Sequence, residues 1–223
     1  MRTILISGTS SGIGHELCVQ ASKLNLNVIS ISRNIDPTIS LPGVVSYSID
    51  ITKKEQIAEL KRDLERKKIK IDILVNNAGF LKNELFEDSS IESFRKTYNV
   101  NVFGLAELTR QLLPMIKKSG HVVNISSIGG VNGSKKFPGL SVYSSSKSAV
   151  IGLTEVLAEE FPNGPSFNVL ALGSVKTKML NEAFPDYKAQ TDSNEMAEYI
   201  LDFALNGNKL FNGKLISVSK TNP

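Results

Sequence analysis

Short runs rich in Val and Ile alternate along this chain with longer segments of helical periodicity. Seven such runs are predicted as strands: residues 3–7, 27–32, 44–49, 71–75, 121–125, 166–172 and 214–218. The clearest helices are predicted over residues 13–23, 53–67, 92–117, 144–161 and 193–204. Parallel strands need a crossover connection, and a helix supplies it. The alternation therefore predicts a doubly wound α/β fold with three layers, α/β/α, around a mostly seven-stranded parallel sheet.

The composition is that of an ordinary globular chain with one core. The chain has 223 residues, of which 41% are hydrophobic. No composition break, linker or internal repeat divides it, so residues 1–223 are expected to form a single domain. The first residues lack the apolar region of a signal peptide, and no apolar run approaches the roughly 18 residues of a membrane span. We therefore expect a cytoplasmic protein that does not enter a membrane.

Cysteine, histidine and charge argue against several classes of function. The one cysteine, Cys18, and two distant histidines, His15 and His121, predict neither a disulfide framework nor a metal site. Cys18 is expected to be a small buried residue of the first helix. The net charge is +4, but basic and acidic residues are mixed over residues 53–70, which is typical of a solvated helix face. A nucleic-acid partner is therefore not expected, whereas a modest positive charge favours an anionic cofactor.

A glycine-rich turn follows the first predicted strand and precedes the first predicted helix. Its spacing, G-x-x-x-G-x-G, fits the common dinucleotide pattern G-x-G-x-x-G only loosely. One interpretation is a tight turn without a ligand. The position at the first strand-to-helix connection favours nucleotide binding, because backbone can approach a pyrophosphate there and helix N–H groups point at it. The candidate cofactor residues of this turn are Gly8, Ser10, Ser11, Gly12, Ile13 and Gly14.

The second predicted strand ends in Ser32-Arg33-Asn34. A site for NAD usually presents an acidic residue here, which binds the ribose 2′-hydroxyl. A carboxylate would repel a 2′-phosphate, whereas Ser32 can donate a hydrogen bond and Arg33 offers a charge-assisted pair. NADP(H) is therefore favoured, and nearby Asp36 keeps NAD(H) as the less favoured alternative. Arg33 can also be read as a surface residue that ends a strand.

Tyr143 and Lys147 lie four residues apart at the start of a strongly periodic helix, so both side chains point from one face. An ammonium beside a phenol favours the phenolate and is expected to lower its pKa. The pair would then serve as a general acid/base. Any helix can carry this spacing by chance, so its meaning depends on the surrounding residues.

Taken in order, these residues resemble the short-chain dehydrogenase/reductase family over nearly the whole chain. The matching positions are Gly8 to Gly14, Asp50, Asn76-Asn77-Ala78-Gly79, Asn101, Ser126-Ser127, Tyr143 and Lys147. The resemblance implies a Rossmann fold and an NADP(H)-dependent oxidoreductase that interconverts a small-molecule carbonyl and an alcohol by hydride transfer.

The resemblance also implies roles for individual residues. Tyr143 would be the general acid/base, Lys147 would hold the nicotinamide ribose and tune Tyr143, and Ser127 would orient the substrate oxygen. Asn101 would hold a water in a proton relay, and a satisfied polar contact between helices is the other interpretation of this buried amide. The further cofactor-binding candidates are Asp50, which would accept from the adenine amino group, with Ile51, Asn77, Ala78, Gly79, Gly173, Val175 and Thr177.

Two departures from the family pattern affect the predicted site. The family usually has Pro-Gly after the sixth strand, but Leu172 precedes Gly173 here, and the loss of proline is expected to loosen the nicotinamide end. Residues 174–192 are expected to form a short substrate lid with Met179, Leu180 and Phe184 as apolar walls.

The C-terminus lacks the usual acidic, glycine-rich ending. A homodimer through the helices 92–118 and 144–161 is therefore preferred to a homotetramer. These departures also leave a second function open: an NADP(H)-binding regulatory or interaction protein with little turnover.

Overall fold

The computed structural model describes residues 1–220 and contains a seven-stranded parallel sheet. Nine strands occur in the described part of the chain: β1 (Arg2–Ser7), β2 (Leu26–Ser32), β3 (Val44–Ser48), β4 (Ile71–Asn76), β5 (Ile116–Ser127), β6 (Ser166–Leu172), β7 (Val175–Lys176), β8 (Thr191–Asp192) and β9 (Leu215–Val218). The main sheet has the order β3-β2-β1-β4-β5-β6-β9, and β7 pairs separately with β8. All seven strands predicted from the sequence belong to the main sheet. Residues 221–223 of the predicted domain lie outside the described residues.

Eight α-helices connect these strands. They are α1 (Gly12–Ser22), α2 (Asp36–Ile39), α3 (Lys54–Arg66), α4 (Ile91–Tyr98), α5 (Leu105–Leu112), α6 (Ser141–Glu160), α7 (Lys178–Ala183) and α8 (Ser193–Asn206), as described over residues 1–220. Helices cover both faces of the sheet: α1 and α8 pack together on one face, and α3, α5 and α6 lie on the other. The doubly wound Rossmann fold predicted from the sequence is confirmed.

The central strand β1 shows why the predicted strands are almost continuously apolar. Ile4 and Ile6 pack in the cluster that includes Cys18 of α1, whereas Leu5 packs on the opposite face with residues of α3 and α5. Each of these side chains is fully buried. A strand covered on both faces needs apolar residues at successive positions, because neighbouring side chains point to opposite faces.

The long helix predicted over residues 92–117 is the main error in element boundaries. After α4 the chain forms a π-helical segment (Asn99–Gly104), then α5, then a 3₁₀ turn (Leu113–Met115), and residues from Ile116 onward belong to β5. Pro114 explains the end of the helix, since proline lacks the N–H that a helix interior requires. Gly104 lies against Ile51, where a Cβ atom would be 2.9 Å from the Ile51 Cγ1 atom.

The site follows from the order of the strands. The chain proceeds from β1 toward β3 on one side and from β4 toward β9 on the other, so the order reverses between β1 and β4. Parallel strands end at one common edge, and a crevice forms there at the reversal. The glycine turn follows β1, and Asn77 follows β4, at this edge.

Candidate functional site

The glycine turn after β1 is pressed against the end of β4. Gly8 has φ +75, and a Cβ atom there would lie 2.6 Å from the Cα atom of Ala78. At Gly14 a Cβ atom would lie 2.2 Å from the carbonyl oxygen of Gly8. Gly12 has φ +56 and faces Thr177, whose Cγ2 atom would be 3.3 Å from a Cβ atom. The turn therefore requires glycine for both its backbone conformation and its close packing.

Hydrogen bonds hold this turn against the residues that follow β4. The Asn77 Nδ2 atom donates to the carbonyl oxygens of Ser7 and Gly8, at 3.1 Å each. The Ser7 hydroxyl accepts from the backbone N–H groups of Asn77 and Ala78, also at 3.1 Å. Sequence reasoning missed Ser7, although a hydroxyl residue at the last position of an otherwise apolar strand is a usable signal.

The N-terminus of α1 faces the turn without a side-chain cap. Ser11 is the N-cap residue, and its side chain makes no capping hydrogen bond. The first turn of α1 contains no acidic residue either. Ser10 and Ser11 are exposed and Ile13 is half-buried. Uncapped N–H groups at the start of an 11-residue helix are suited to an anionic group, so these residues fit a cofactor pyrophosphate.

The end of β2 carries the residues predicted to select the cofactor. The Arg33 side chain is exposed, whereas Ser32 is buried and its hydroxyl donates to the carbonyl oxygen of Asn34 at 2.6 Å. Burial raises the pKa of Asp50, but hydrogen bonds from Thr52 and the positive charge of Arg33 outweigh burial and leave that pKa below its usual value. Arg33 and Asp50 therefore act on each other at one rim of the crevice.

Tyr143 and Lys147 lie in α6 as predicted, and β5 holds Lys147 in place. The Lys147 Nζ atom donates to the carbonyl oxygen of Ile125 at 2.9 Å, and the Ser126 hydroxyl donates to the Lys147 carbonyl oxygen at 2.8 Å. The Nζ atom lies 5.8 Å from the centroid of the Tyr143 ring. It also lies beside Gly79, where a Cβ atom would be 3.6 Å away. The helix thus brings the tyrosine, the lysine and the loop after β4 together.

The direction of the tyrosine pKa shift is opposite to the one expected from spacing. Desolvation by the surrounding protein raises the pKa of Tyr143 to about 12, against a smaller lowering by its hydrogen bond with Ser127. Burial also lowers the pKa of Lys147 to about 8. The lysine is directed to the Ile125 carbonyl, so burial rather than the neighbouring charge dominates the environment of the phenol.

Ser127 reaches Tyr143 because two glycines allow its loop to approach α6. The Ser127 hydroxyl lies near enough to the Tyr143 hydroxyl to lower the pKa of the phenol, and it accepts from the backbone N–H of Gly129 at 3.3 Å. At Gly130 a Cβ atom would lie 2.7 Å from the backbone carbon of Lys147. The predicted proximity of Ser127, Tyr143 and Lys147 is therefore present in the fold.

Asn101 is fully buried in the π-helical segment, and the protein satisfies its amide. Its Oδ1 atom accepts from the Phe80 N–H at 2.7 Å, and its Nδ2 atom donates to the Phe80 carbonyl oxygen and the Ser146 hydroxyl at 2.9 Å each. The Ser146 hydroxyl donates in turn to the Tyr143 carbonyl oxygen at 2.6 Å. The side chain thus makes the structural contact that was the second interpretation of this residue. Its part in a proton relay stays a prediction. Ser146 was missed, although its position three residues after Tyr143 places it on the same helix face.

The segment after β6 is held without the proline that the family usually has. The Gly173 N–H donates to the Val218 carbonyl oxygen of β9 at 2.9 Å. Val175 is buried, and the Thr177 hydroxyl caps α7 by accepting from the Leu180 N–H at 3.2 Å. The Thr177 side chain also faces Gly12 of the glycine turn, where a Cβ atom would lie 3.3 Å from its Cγ2 atom. The strand pairing therefore restrains Gly173 where proline would have stiffened the turn.

Comparisons with known proteins agree with this arrangement. The short chain dehydrogenase family matches residues 2–188. The 3-oxoacyl-(acyl-carrier-protein) reductase FabG of Thermotoga maritima is 31% identical, over 97% of this chain and 96% of that protein. The NADPH-dependent pterin aldehyde reductase of Arabidopsis thaliana is 31% identical, over 82% of this chain and 78% of that protein. The solved structure of ElxO with NADP bound is 29% identical with a TM-score of 0.83, covering 97% of this chain and 96% of that one.

The reversed strand order and the glycine turn at its crevice define a Rossmann fold, and the family match adds the class of oxidoreductases. The chain belongs to the short-chain dehydrogenase/reductase family. In the part of the chain that the structure describes, no helix is both long and apolar enough to cross a membrane.

Proposed function

We propose that this protein is an NADP(H)-dependent oxidoreductase that interconverts a carbonyl and an alcohol on a small molecule. The observation that carries the proposal is the convergence of Ser127, Tyr143 and Lys147 at the crevice beside the glycine turn. The names of the relatives support a reductase, since they include a 3-oxoacyl reductase and a pterin aldehyde reductase. We further propose that residues 1–223 act as one domain in the cytoplasm.

In the proposed reaction Tyr143 is the proton donor. A phenol with a pKa of about 12 keeps its proton at neutral pH, so it can protonate a carbonyl oxygen that gains negative charge. Ser127 lies beside the Tyr143 hydroxyl and would direct the substrate oxygen toward it. The nicotinamide cofactor, when bound, supplies or accepts the hydride. The ammonium of Lys147 donates one hydrogen bond to the Ile125 carbonyl oxygen, and its two other N–H groups would donate to ribose hydroxyls.

The remaining cofactor assignments are part of the same proposal. The uncapped start of α1 would hold the pyrophosphate, with Gly8, Gly12 and Gly14 leaving room for it. Asp50 and Ile51 would bound the adenine, and Asn77 to Gly79 would form the wall of the site. Gly173, Val175 and Thr177 would hold the nicotinamide end. Asn101 would serve the proton relay while its side chain supports the loop after β4.

The variant Tyr143→Phe tests the catalytic assignment. Removal of the hydroxyl removes the proposed proton donor, so we expect carbonyl reduction to fall at least about 100-fold while the Kd for NADPH changes less than about two-fold. NADPH oxidation with a panel of ketones and aldehydes measures turnover, and fluorescence titration measures binding. Full activity of Tyr143→Phe would contradict the assignment. Tight NADPH binding by wild type without turnover of any substrate would favour a regulatory protein instead.

The variant Arg33→Ala tests the choice of cofactor. Arg33 lies exposed at the end of β2, and a charge-assisted pair with a 2′-phosphate would be lost. We expect the Kd for NADPH to rise about 10-fold or more, while that for NADH changes less than about two-fold. Arg62→Ala in α3 is the matched control, since it removes an exposed arginine away from the crevice. Equal losses for both cofactors in Arg33→Ala would exclude the 2′-phosphate contact.

A further inference from the structure

Asn83 forms a hydrogen bond between two segments that follow different strands of the sheet. It lies in the loop after β4, and its Nδ2 atom donates to the carbonyl oxygen of Ala183 at 2.9 Å. Ala183 is the last residue of α7, the helix of the lid at residues 174–192. The bond therefore joins the loop after β4 to the end of the lid helix, 100 positions further along the chain.

A third segment meets these two at the same point. The N–H of Glu84 donates to the carbonyl oxygen of Gly139 at 2.9 Å. Gly139 has φ +83, and a Cβ atom there would overlap the Oδ1 atom of Asn83 at 1.8 Å. Gly139 lies just before α6, the helix that carries Tyr143. Asn83 thus lies where the loop after β4, the loop before α6 and the lid come together.

The other polar contacts described for the lid do not reach this wall of the crevice. The Ser174 hydroxyl pairs with the Tyr187 hydroxyl at 3.0 Å, within the lid. At the base of the lid, Lys176 forms an ion pair with Asp192 at 2.9 Å, and its carbonyl oxygen accepts from Ser193 of α8. These contacts hold the lid to itself and to α8. The amide of Asn83 is the side chain that ties the end of α7 to the opposite wall.

We propose that Asn83 is a positioning residue that holds the lid helix α7 over the crevice through the N–H donated to Ala183. Met179 and Leu180 of α7 are the apolar walls expected for the substrate site, so loss of this bond would weaken substrate binding more than the chemical step. The kinetic consequence rests on the proposed function. The structural consequence, a more mobile lid, does not depend on the proposed function.

The variant Asn83→Asp removes the donor with almost no change in shape, since a carboxylate only accepts hydrogen bonds and repels the Ala183 carbonyl. Asn83→Ala is the second variant, and Asn194→Asp, at an exposed position of α8, is the control that adds the same charge elsewhere. Limited trypsin digestion of the full chain reports lid opening through cleavage after the exposed residues Lys178 and Lys188, mapped by mass spectrometry.

We expect lid cleavage to rise about five-fold in both Asn83 variants and to stay unchanged in Asn194→Asp, with thermal unfolding midpoints close to wild type. We also expect KM for a carbonyl substrate to rise about five-fold, while kcat and the Kd for NADPH change less than about two-fold. Lid cleavage at the wild-type rate in both Asn83 variants would overturn the proposal. Faster lid cleavage in a protein that turns over no carbonyl would support the lid assignment and refute the proposed enzymatic function instead.

Discussion

His121 is buried in β5 with protein partners on both ring nitrogens. The Nδ1 atom lies 3.1 Å from the Ala204 carbonyl oxygen, and the Nε2 atom lies 3.0 Å from the Asn168 Nδ2 atom. A carbonyl only accepts and an amide NH₂ group only donates, so a neutral imidazole protonated on Nδ1 satisfies both. Burial lowers the pKa of His121 from 6.5 to about 4, against a smaller raising by the bond to Ala204. The native state therefore keeps this ring neutral.

We expect this neutral ring to make stability depend on pH. The pKa in the native state, about 4, is below the unfolded value of 6.5, so the unfolded state binds more protons between these values. The contribution is complete above pH 6.5 and is lost as pH falls toward 4, by about 3 kcal/mol in all. Urea unfolding of wild type and His121→Gln measures it: the stability difference between them should shrink across this window. Parallel pH profiles would contradict the prediction.

Gly8, in the turn between β1 and α1, is required both for its backbone conformation and for its close packing, and Gly133 allows the two effects to be separated. Gly8 and Gly133 share nearly the same backbone conformation, with φ +75 and +76. A Cβ atom at Gly133 would meet nothing within 4 Å, whereas one at Gly8 would lie 2.6 Å from the Ala78 backbone. The pair therefore separates the cost of the left-handed conformation from the cost of the clash.

We expect Gly133→Ala to lower the free energy of unfolding by about 1–2 kcal/mol, the cost of the conformation alone. Gly8→Ala should cost about 1–3 kcal/mol more, because the backbone of Ala78 cannot move aside as a flexible side chain would. Urea unfolding of the two variants supplies the comparison, and NADPH titration should show weaker binding only for Gly8→Ala. Equal losses of stability would show that packing against β4 is unimportant.

At the level of elements, periodicity predicted well where segments were long and uniform. The seven strands of the main sheet and α1, α3, α6 and α8 all follow from it, with ends displaced by a few residues. The exception is β5, which begins at Ile116, five positions before the predicted start. Its first part was not predicted because residues 117–119 are polar and lack the apolar pattern of a buried strand. The short pair β7 and β8 had no periodic signal, and periodicity assigned the π-helical segment around Asn101 to one long regular helix. Their conformations depend on contacts with other segments, such as the bonds from Asn101 to Phe80.

On the scale of the whole molecule, the helices expected to form a dimer expose apolar side chains. Phe103, between α4 and α5, is 58% exposed, and Val156 of α6 is 54% exposed. Large exposed apolar residues on adjoining helices are typical of an interface between subunits. They are consistent with the homodimer through these helices that the sequence led us to expect.

We expect the wild-type protein to have twice the 24.3 kDa mass of one chain in solution, and Val156→Arg to shift it toward the single-chain mass. A charge placed in an apolar interface has to be desolvated, which disfavours association. Leu210→Arg is the matched control, because Leu210 is 86% exposed and lies outside these helices. Sedimentation at micromolar concentration measures the masses. A wild-type protein with the mass of one chain, or an unchanged dimer in Val156→Arg, would contradict this interface.

The sequence by itself determined the layered architecture and most of the residues proposed for the site. Apolar runs with two covered faces specify parallel strands, and the glycine turn, Tyr143 and Lys147 follow from motifs that neighbouring residues define. Each strand and each motif is local in sequence, and the order of the motifs from Gly8 to Lys147 gave the tyrosine and lysine their meaning.

Only the tertiary structure decided which contacts hold these residues in place and in which direction their pKa values shift. It raised the pKa of Tyr143 where spacing predicted a lower one, because desolvation depends on atoms from the whole fold. It restrained Gly173 through β9 rather than through a proline, and it joined Asn83 to Ala183 across 100 positions. Contacts between distant segments carry no periodic signal, since they depend on where the packed sheet and helices place each loop.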